Sequence, residues 1–219
     1  MKLDLREIPA VYMNLEKHTE KNESMYNMLN EMGFENINRV EGVLDIENPI
    51  AGCSKAHHMA LNNFKTPFIL FEDDCGIAYE DYNLEIEIPD NADAVYLGVS
   101  DWGRMNGHNG FYNQYDHVKN QDNLLRIYNM LSGHAILYLS EIYREMCVRI
   151  AYHAGYVVKD YYHDVGFAEI QKWFNVYCFD RPIFYQVDHP IGTRNLLTSY
   201  QSTTCMNISP SQFYPYKIK

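Results

Sequence analysis

An apolar run ends in three acidic residues at Pro67-Phe68-Ile69-Leu70-Phe71-Glu72-Asp73-Asp74. A short, continuous apolar run that contains Phe and Ile is typical of a strand buried on both faces of a sheet. Open α/β sheets bind their ligands at the carboxyl ends of such strands. We therefore predict a central strand over residues 67–71 and a binding site at the acidic residues that follow it.

The three acidic side chains are expected to point in different directions. Positions i and i+2 of an extended chain face the same way, so Glu72 and Asp74 share one side and Asp73 faces the other. Two carboxylates on one side suit Mg²⁺ or Mn²⁺, which prefer oxygen ligands and also bind diphosphates. A solvated acidic turn is the alternative interpretation of these residues.

Strands and helices alternate along most of the chain. Apolar, β-rich runs predict strands over residues 8–15, 37–43, 67–71, 93–99, 124–128, 134–139, 177–179 and 183–186. Helical spacing predicts helices over residues 19–32, 54–64, 140–153 and 165–174, with Gly33 as a stop and Ser54 and Ser140 as caps. This alternation predicts an α/β fold with a central sheet flanked by helices. The sheet is expected to be mixed and not wholly parallel, because the late strands lack crossover helices.

One Gly- and Asn-rich segment, Ser100–Asn120, interrupts this alternation and predicts a long loop. Its aromatic residues Trp102, Tyr112 and Tyr115 are candidates for a platform that binds an acceptor substrate. A mobile surface loop is the alternative interpretation.

The chain has 219 residues, with 18 Lys and Arg against 29 Asp and Glu, and a net charge of −11. Its length predicts a single domain over residues 1–208. Residues 209–219 are expected to form a tail, or a linker to further domains of a longer chain. The acidic balance argues against a nucleic-acid partner. The apolar runs are far shorter than the ~20 residues of a membrane span. Five widely spaced cysteines without a Cys-x-x-Cys pair indicate a reducing, cytoplasmic location.

Several enzyme classes are disfavoured by missing motifs. The 12 glycines form no Gly-x-Gly-x-x-Gly and no Gly-x4-Gly-Lys-Ser/Thr, which argues against dinucleotide oxidoreductases and P-loop enzymes. A Gly-x-Ser-x-Gly nucleophile elbow is also missing. A doubly wound methyltransferase is disfavoured for want of a glycine-rich first turn.

Five short motifs occur in a characteristic order. They are Tyr12-Met13-Asn14-Leu15, Arg39-Val40-Glu41-Gly42-Val43, Gly52-Cys53-Ser54-Lys55-Ala56-His57, Phe68-Ile69-Leu70-Phe71-Glu72-Asp73-Asp74 and Ser132-Gly133-His134-Ala135-Ile136-Leu137. In this order they resemble glycosyltransferases of the lipopolysaccharide-biosynthesis type, which include collagen galactosyltransferases. The chain also resembles the compact first domain of capsid-glycan glycosyltransferases from large algal DNA viruses. It departs from the family pattern at Ala56, where a serine is usual, and in the reduced basic character of Lys17 and His18.

The resemblance implies a nucleotide-sugar-binding fold of the GT-A type. It implies that Glu72 and Asp74 hold Mn²⁺ (or Mg²⁺) against the diphosphate of a UDP-sugar, with Asp73 also beside the donor. It places the base and ribose of the donor next to five residues, which are Asn14, Leu15, Arg39, Glu41 and Gly42. Lys55 and Arg194 are further candidates for contacts to phosphate or base, and exposed surface charges are the alternative.

Later candidates have weaker support. By the same resemblance, a late His or Asp often joins the metal site, so His189 is a candidate ligand and Asp188 a candidate catalytic residue. A solvated loop before Pro190 is the alternative. Asp160 or Asp164 is a candidate general base, although Asp164 is equally suited to capping a helix. His57 and His58 are interpreted as packing histidines.

These features predict a Mn²⁺-dependent glycosyltransferase that moves a hexose or deoxyhexose from a UDP-sugar to a hydroxyl of a glycan or glycoprotein. Its location is the cytoplasm, or the host cytoplasm if the protein is viral. A catalytically silent nucleotide- or carbohydrate-binding module of a larger protein is the alternative.

Overall fold

A computed structural model describes residues 1–100, 102–105 and 107–187. The predicted α/β class is confirmed: a mixed sheet of eight strands is flanked by helices. The tail predicted at 209–219 lies outside the described residues, as do Asp188, His189 and Arg194.

The described part of the chain forms the following strands and α-helices. The strands are β1 (Lys2–Asp4), β2 (Ala10–Asn14), β3 (Ile37–Glu41), β4 (Phe68–Glu72), β5 (Cys75–Ile77), β6 (Glu85–Glu87), β7 (Ala94–Tyr96), β8 (Trp102–Met105), β9 (His108–Tyr112), β10 (Tyr115–Val118), β11 (Gln121–Ile127), β12 (Ala135–Tyr138), β13 (Val176–Phe179) and β14 (Phe184–Gln186). The α-helices are α1 (Thr19–Glu31), α2 (Pro49–Asn63), α3 (Glu141–Tyr152) and α4 (His163–Ile170).

The order of strands in the main sheet is β10-β11-β13-β7-β12-β4-β2-β3. Strand β2, next to the edge strand β3, runs parallel to both of its neighbours, β3 and β4, whereas β12 is antiparallel to β4 and β7. The chain passes from β2 to β3 on one side and then returns to β4 on the other side. The direction of winding therefore reverses between β2 and β4, and such reversals open a crevice at the carboxyl ends of the two strands.

Strand β4 is buried on both of its faces, which explains its unbroken apolar sequence. Ile69 and Phe71 belong to the core cluster that also contains Met25 and Leu29 of α1. Phe68 and Leu70 belong to a second cluster on the opposite face, which includes residues of α2 and α3. Helices thus cover both faces of the sheet. In the described part of the chain, none of them has the length and apolar character that crossing a bilayer requires.

The structure confirms two predicted helix boundaries and corrects a third. Ser140 accepts a hydrogen bond from the Tyr143 amide at the start of α3, and Gly33 has a φ of +87° just after α1. Ser54, however, does not cap α2. That helix begins five residues earlier at Pro49, where Asn48 is the cap, because proline suits the first helical position.

The prediction of a long loop over residues 100–120 is wrong. Strands β8 and β9 pair as an antiparallel hairpin in which Trp102 lies opposite Tyr112. Strand β10 pairs with β11 at the edge of the main sheet. Glycines lower the strand propensity of this segment, but backbone pairing with neighbouring strands still forms here. A turn with Gly107 at a φ of +81° joins β8 and β9.

Candidate active site

The acidic triplet lies where the winding of the sheet reverses. Glu72 is the last residue of β4, and Asn14 is the last residue of the adjacent β2. The side-chain amide of Asn14 donates a hydrogen bond of 2.8 Å to Asp73 Oδ2 and so joins the two strand ends. The residues singled out in the sequence therefore meet at the position that α/β sheets use for ligands.

Glu72 and Asp74 converge on one partner. The side-chain amide of Gln186 donates to Glu72 Oε2 at 3.2 Å and to Asp74 Oδ2 at 2.9 Å. Gln186 reaches them because β14 pairs with β5, which begins directly after the triplet at Cys75. The structure thus places the two carboxylates on one side, with Asp73 and Asp74 in the turn between β4 and β5.

Asp73 points the other way into a buried ion pair. Its Oδ1 lies 2.9 Å from Lys21 Nζ, and the Lys21 side chain is only 7% exposed. Sequence reasoning missed Lys21. The available signal was its position one helical turn before the buried Met25, where a lysine needs a partner. The pair ties α1 to the end of β4.

The electrostatic environment of Asp74 favours a cation. Its Oδ1 is shielded from solvent and has no hydrogen-bond partner among the described residues. Burial, and then repulsion from Glu72, raise the pKa of Asp74 to about 7, although Lys21 and the hydrogen bond from Gln186 oppose this shift. A divalent cation would supply the missing positive charge, and the paired carboxylates offer the oxygen ligands that Mg²⁺ and Mn²⁺ prefer. The residues present therefore fit such an ion.

A group of histidines lies behind Glu72. Its Oε1 is 3.0 Å from His57 Nε2, and the His57 ring packs on the His163 ring with centroids 3.8 Å apart. His163 Nδ1 lies 3.2 Å from Ser54 Oγ. Burial lowers the pKa of His57 to about 3, so this ring is neutral. His57 is buried as predicted, but it contacts an acidic residue as well as the core. His163 was not predicted.

Hydrogen bonds and a close backbone contact hold the carboxyl ends of β2 and β3 together. The backbone carbonyl of Asn14 accepts hydrogen bonds from the Gly42 amide at 2.9 Å and from Arg39 Nη2 at 3.3 Å. The chains approach closely at Gly42, where a Cβ would lie 3.1 Å from the Leu15 nitrogen. Glu41 is exposed beside them. The structure thus brings together the five residues predicted next to the base and ribose.

Other predicted residues lie in different surroundings. Lys55 forms an ion pair of 2.8 Å with Asp45. Asp160 is exposed, with a φ of +61°, in the segment before α4. Asp164 lies in the first turn of α4, next to His163, but the cap position belongs to Tyr162. The alternative role of Asp164 as the helix cap is therefore wrong.

Comparisons with known proteins give no family. No protein-family model matches the chain. No curated protein matches it either. Among solved structures, it is similar to the nucleoside-diphosphate-sugar pyrophosphorylase from Vibrio cholerae RC9, with 10% identity and a TM-score of 0.42 over 80% of this chain and 73% of that one. The function of this chain is therefore inferred from the residues of its site.

Proposed function

We propose that this chain is a glycosyltransferase of the GT-A type, which depends on Mn²⁺ or Mg²⁺ and moves a hexose or deoxyhexose from a UDP-sugar to a glycan hydroxyl. One observation carries the proposal. Glu72 and Asp74 converge at the reversal point of the sheet, and Asp74 Oδ1 is shielded from water without a hydrogen-bond partner among the described residues. A buried carboxylate of this kind is stabilised by a bound cation.

The proposed metal ligands are Glu72 and Asp74, with His189 as a third candidate from the sequence. A cation held there supplies positive charge to the diphosphate that leaves the sugar. Lys21 and Asn14 hold Asp73, and this fixes the backbone between the two ligands. Asp73 therefore positions the site and does not need to contact the donor.

The proposed donor surface consists of the residues at the carboxyl ends of β2 and β3. Arg39 is already oriented by the carbonyl and side-chain oxygens of Asn14 at 3.3 Å, and it keeps an exposed face. Gly42 keeps the two strand ends in contact, so that Leu15 and Glu41 border the same surface. Lys55 is held by Asp45, and Arg194 remains a candidate from the sequence alone.

The acceptor hydroxyl needs a group that takes its proton. Asp164 is favoured over Asp160, because it lies in the first turn of α4 beside His163, whose ring lies against His57 behind Glu72. Asp188 stays a candidate from the sequence. A base within hydrogen-bond reach of the acceptor would raise its nucleophilicity at the moment of attack.

Nucleotide binding is tested by thermal denaturation with UDP, GDP, ADP and CMP, each with and without Mn²⁺. We expect UDP with Mn²⁺ to stabilise the fold most, by ~2.7 kcal/mol at 100 times its dissociation constant. Equal or larger shifts with GDP would overturn the UDP assignment.

Catalysis is tested separately by the release of UDP from UDP-sugars in the presence of Mn²⁺. Release that depends on the cation supports the transferase. Binding of UDP-sugars without any release, across a panel of hexoses, deoxyhexoses and acceptors, would favour the silent binding module.

A further inference from the structure

A second group of potential metal ligands lies on the other side of Glu72 from Asp74. Its four ligand atoms lie within 4.8 Å of one another and belong to Cys53, His57, Glu72 and His163. Cys53 and His57 are one helical turn apart on α2, so their side chains share a face. Glu72 ends β4, and His163 begins α4. Three separate elements therefore bring ligands to one point.

Gly133 keeps the space beside these ligands open. A Cβ at this position would lie 3.2 Å from Glu72 Oε1, 3.2 Å from His163 Nε2 and 3.7 Å from His57 Cε1. Its φ is not among the positive values of the described chain, so the backbone conformation does not require glycine here. Any larger residue would fill the space next to three of the four ligands.

The ligand types distinguish this cluster from the carboxylate pair. A thiolate, two imidazoles and one carboxylate suit a cation of intermediate softness, whereas Mg²⁺ and Mn²⁺ prefer oxygen. We propose that Cys53, His57, Glu72 and His163 form a second cation site, which binds Zn²⁺ in four-coordinate geometry. The zinc site does not depend on the proposed glycosyl transfer.

The geometry requires only a small contraction. Bonds of about 2.0–2.3 Å from zinc to nitrogen, oxygen and sulfur place tetrahedral ligands roughly 3.3–3.8 Å apart. The widest separation, at most 4.8 Å, must therefore shrink by about 1 Å. Cys53 is exposed, so its side chain has room to rotate and the cation has a path from solvent. The buried His57 provides a fixed ligand on the inner side.

The two sites share Glu72. Its Oε1 faces His57 at 3.0 Å, and its Oε2 faces Gln186 and the Asp74 side at 3.2 Å. Zinc on Oε1 therefore sets the orientation of the carboxylate whose other oxygen serves the proposed Mn²⁺ site. This last consequence rests on the proposed function.

Cobalt titration of the metal-free full chain tests the site without any activity assay. Under reducing conditions, Co²⁺ should give a thiolate-to-cobalt charge-transfer band and intense four-coordinate d–d bands. Both should saturate at one equivalent and disappear when one equivalent of Zn²⁺ is added. Co²⁺ bound to carboxylates alone gives only weak six-coordinate bands and no thiolate band.

Matched variants assign the ligands. Cys53→Ser and His163→Gln should each lower the affinity for Zn²⁺ by at least tenfold, and Cys53→Ser should remove the thiolate band. Asp74→Asn and Cys147→Ala should keep the band, because neither residue belongs to the cluster. Circular dichroism confirms that each variant is folded. A missing thiolate band in the unsubstituted chain, or one that persists in Cys53→Ser, would overturn the proposal.

Discussion

Asp74 is a proposed metal ligand, and in the metal-free protein its buried carboxylate lowers the free energy of unfolding at neutral pH and above. Its pKa of about 7 means that the folded protein holds a proton on this carboxyl between pH ~4 and ~7, where the unfolded chain has released it. The contribution of Asp74 to the free energy of unfolding therefore falls as the pH rises through this window. Above it, the metal-free protein contains a buried negative charge that Lys21 and the hydrogen bond from Gln186 offset only in part.

Asp74→Asn should accordingly separate activity from stability. At pH 8, without metal, we expect the free energy of unfolding of the variant to be higher by about 1–3 kcal/mol. The largest possible gain is ~1.4 kcal/mol for each unit by which folding raises the pKa of Asp74. If the proposed function holds, sugar transfer should fall by about 10²–10³, because the amide lacks the negative charge that would hold the proposed cation. Urea denaturation and UDP release measure the two effects.

The exposed Glu80→Gln is the matched control for Asp74→Asn and should change neither quantity. Normal activity and an unchanged Mn²⁺ response in Asp74→Asn would show that the carboxylate is not a metal ligand.

Asp73→Asn should act on stability more than on activity. The change leaves the Lys21 ammonium buried without its counter-charge, and breaking a buried pair in this way costs about 3–5 kcal/mol. The double variant Lys21→Met/Asp73→Asn removes the stranded charge and should recover most of that loss. Urea denaturation of both single variants and the double variant gives the coupling energy.

A loss below about 1 kcal/mol in Asp73→Asn would contradict the importance of the ion pair. A loss of activity per folded molecule larger than that of Asp74→Asn would show instead that Asp73 is the metal ligand.

At the scale of elements, the contact between α2 and the segment before it controls the edge of the site. Gly52 lies in the first turns of α2, and a Cβ there would be 2.7 Å from the Val43 carbonyl oxygen and 3.1 Å from Asp45 Cβ. Asp45 also binds Lys55 on the same helix. The segment that follows Gly42 is therefore packed directly on the helix that carries Cys53 and His57.

Gly52→Ala reverses the usual effect of this substitution. Alanine normally stabilises a helix by roughly 0.5–1 kcal/mol relative to glycine, but here we expect destabilisation by about 1–3 kcal/mol, because the new methyl group meets backbone. Asn62→Ala, on the exposed side of the same helix, should be neutral or slightly stabilising. Thermal denaturation compares the two, and a stabilised Gly52→Ala would contradict the tight contact.

At the scale of the whole molecule, three buried groups among the described residues have pKa values that bear on the response to mild acid. Burial lowers the pKa of His57 to about 3 and that of His134 to about 4, whereas burial raises that of Asp74 to about 7. Between pH 5 and 6 the unfolded chain protonates both histidines, near their ordinary pKa of ~6.5, and the folded chain does not. In the same range the folded chain alone holds a proton on Asp74.

The net difference is therefore about one proton, and the free energy of unfolding should decrease by ~1.4 kcal/mol for each pH unit of acidification in this range. Asp74→Asn removes the opposing contribution, so its decrease should be about twice as steep, at ~2.8 kcal/mol per unit. Urea denaturation at several pH values measures both slopes. Parallel curves for the two proteins would contradict the raised pKa of Asp74.

Much of the fold follows from local sequence patterns. The continuous apolar run before Glu72 predicts a strand buried on both faces, and Ser140 and Gly33 mark helix ends through their own backbone preferences. The i and i+2 positions of Glu72 and Asp74 predict a shared side, because the pleat of a strand has a period of two residues. These features depend on residues that are near one another in the chain.

Other features required the tertiary structure. Strands β8 and β9 arise where the sequence predicts a loop, since backbone pairing with a neighbouring strand outweighed the weak local propensity of a glycine-rich segment. The start of α2 at Pro49 is missed when Ser54 is interpreted as the cap. The actual signals are Asn48 as the cap and Pro49 at the first helical position. The burial of Lys21 could not be predicted locally, because its partner Asp73 is 52 residues away in the sequence.

The sequence by itself determined the α/β class, the central strand and the side on which Glu72 and Asp74 lie, because those depend on periodicity and on contacts of short range. Only the tertiary structure decided that Gln186 joins the two carboxylates across 112 residues of sequence or more. It also decided that Cys53, His57 and His163 gather behind Glu72. Such convergence depends on how helices pack over the sheet, and no local pattern in the chain encodes that packing.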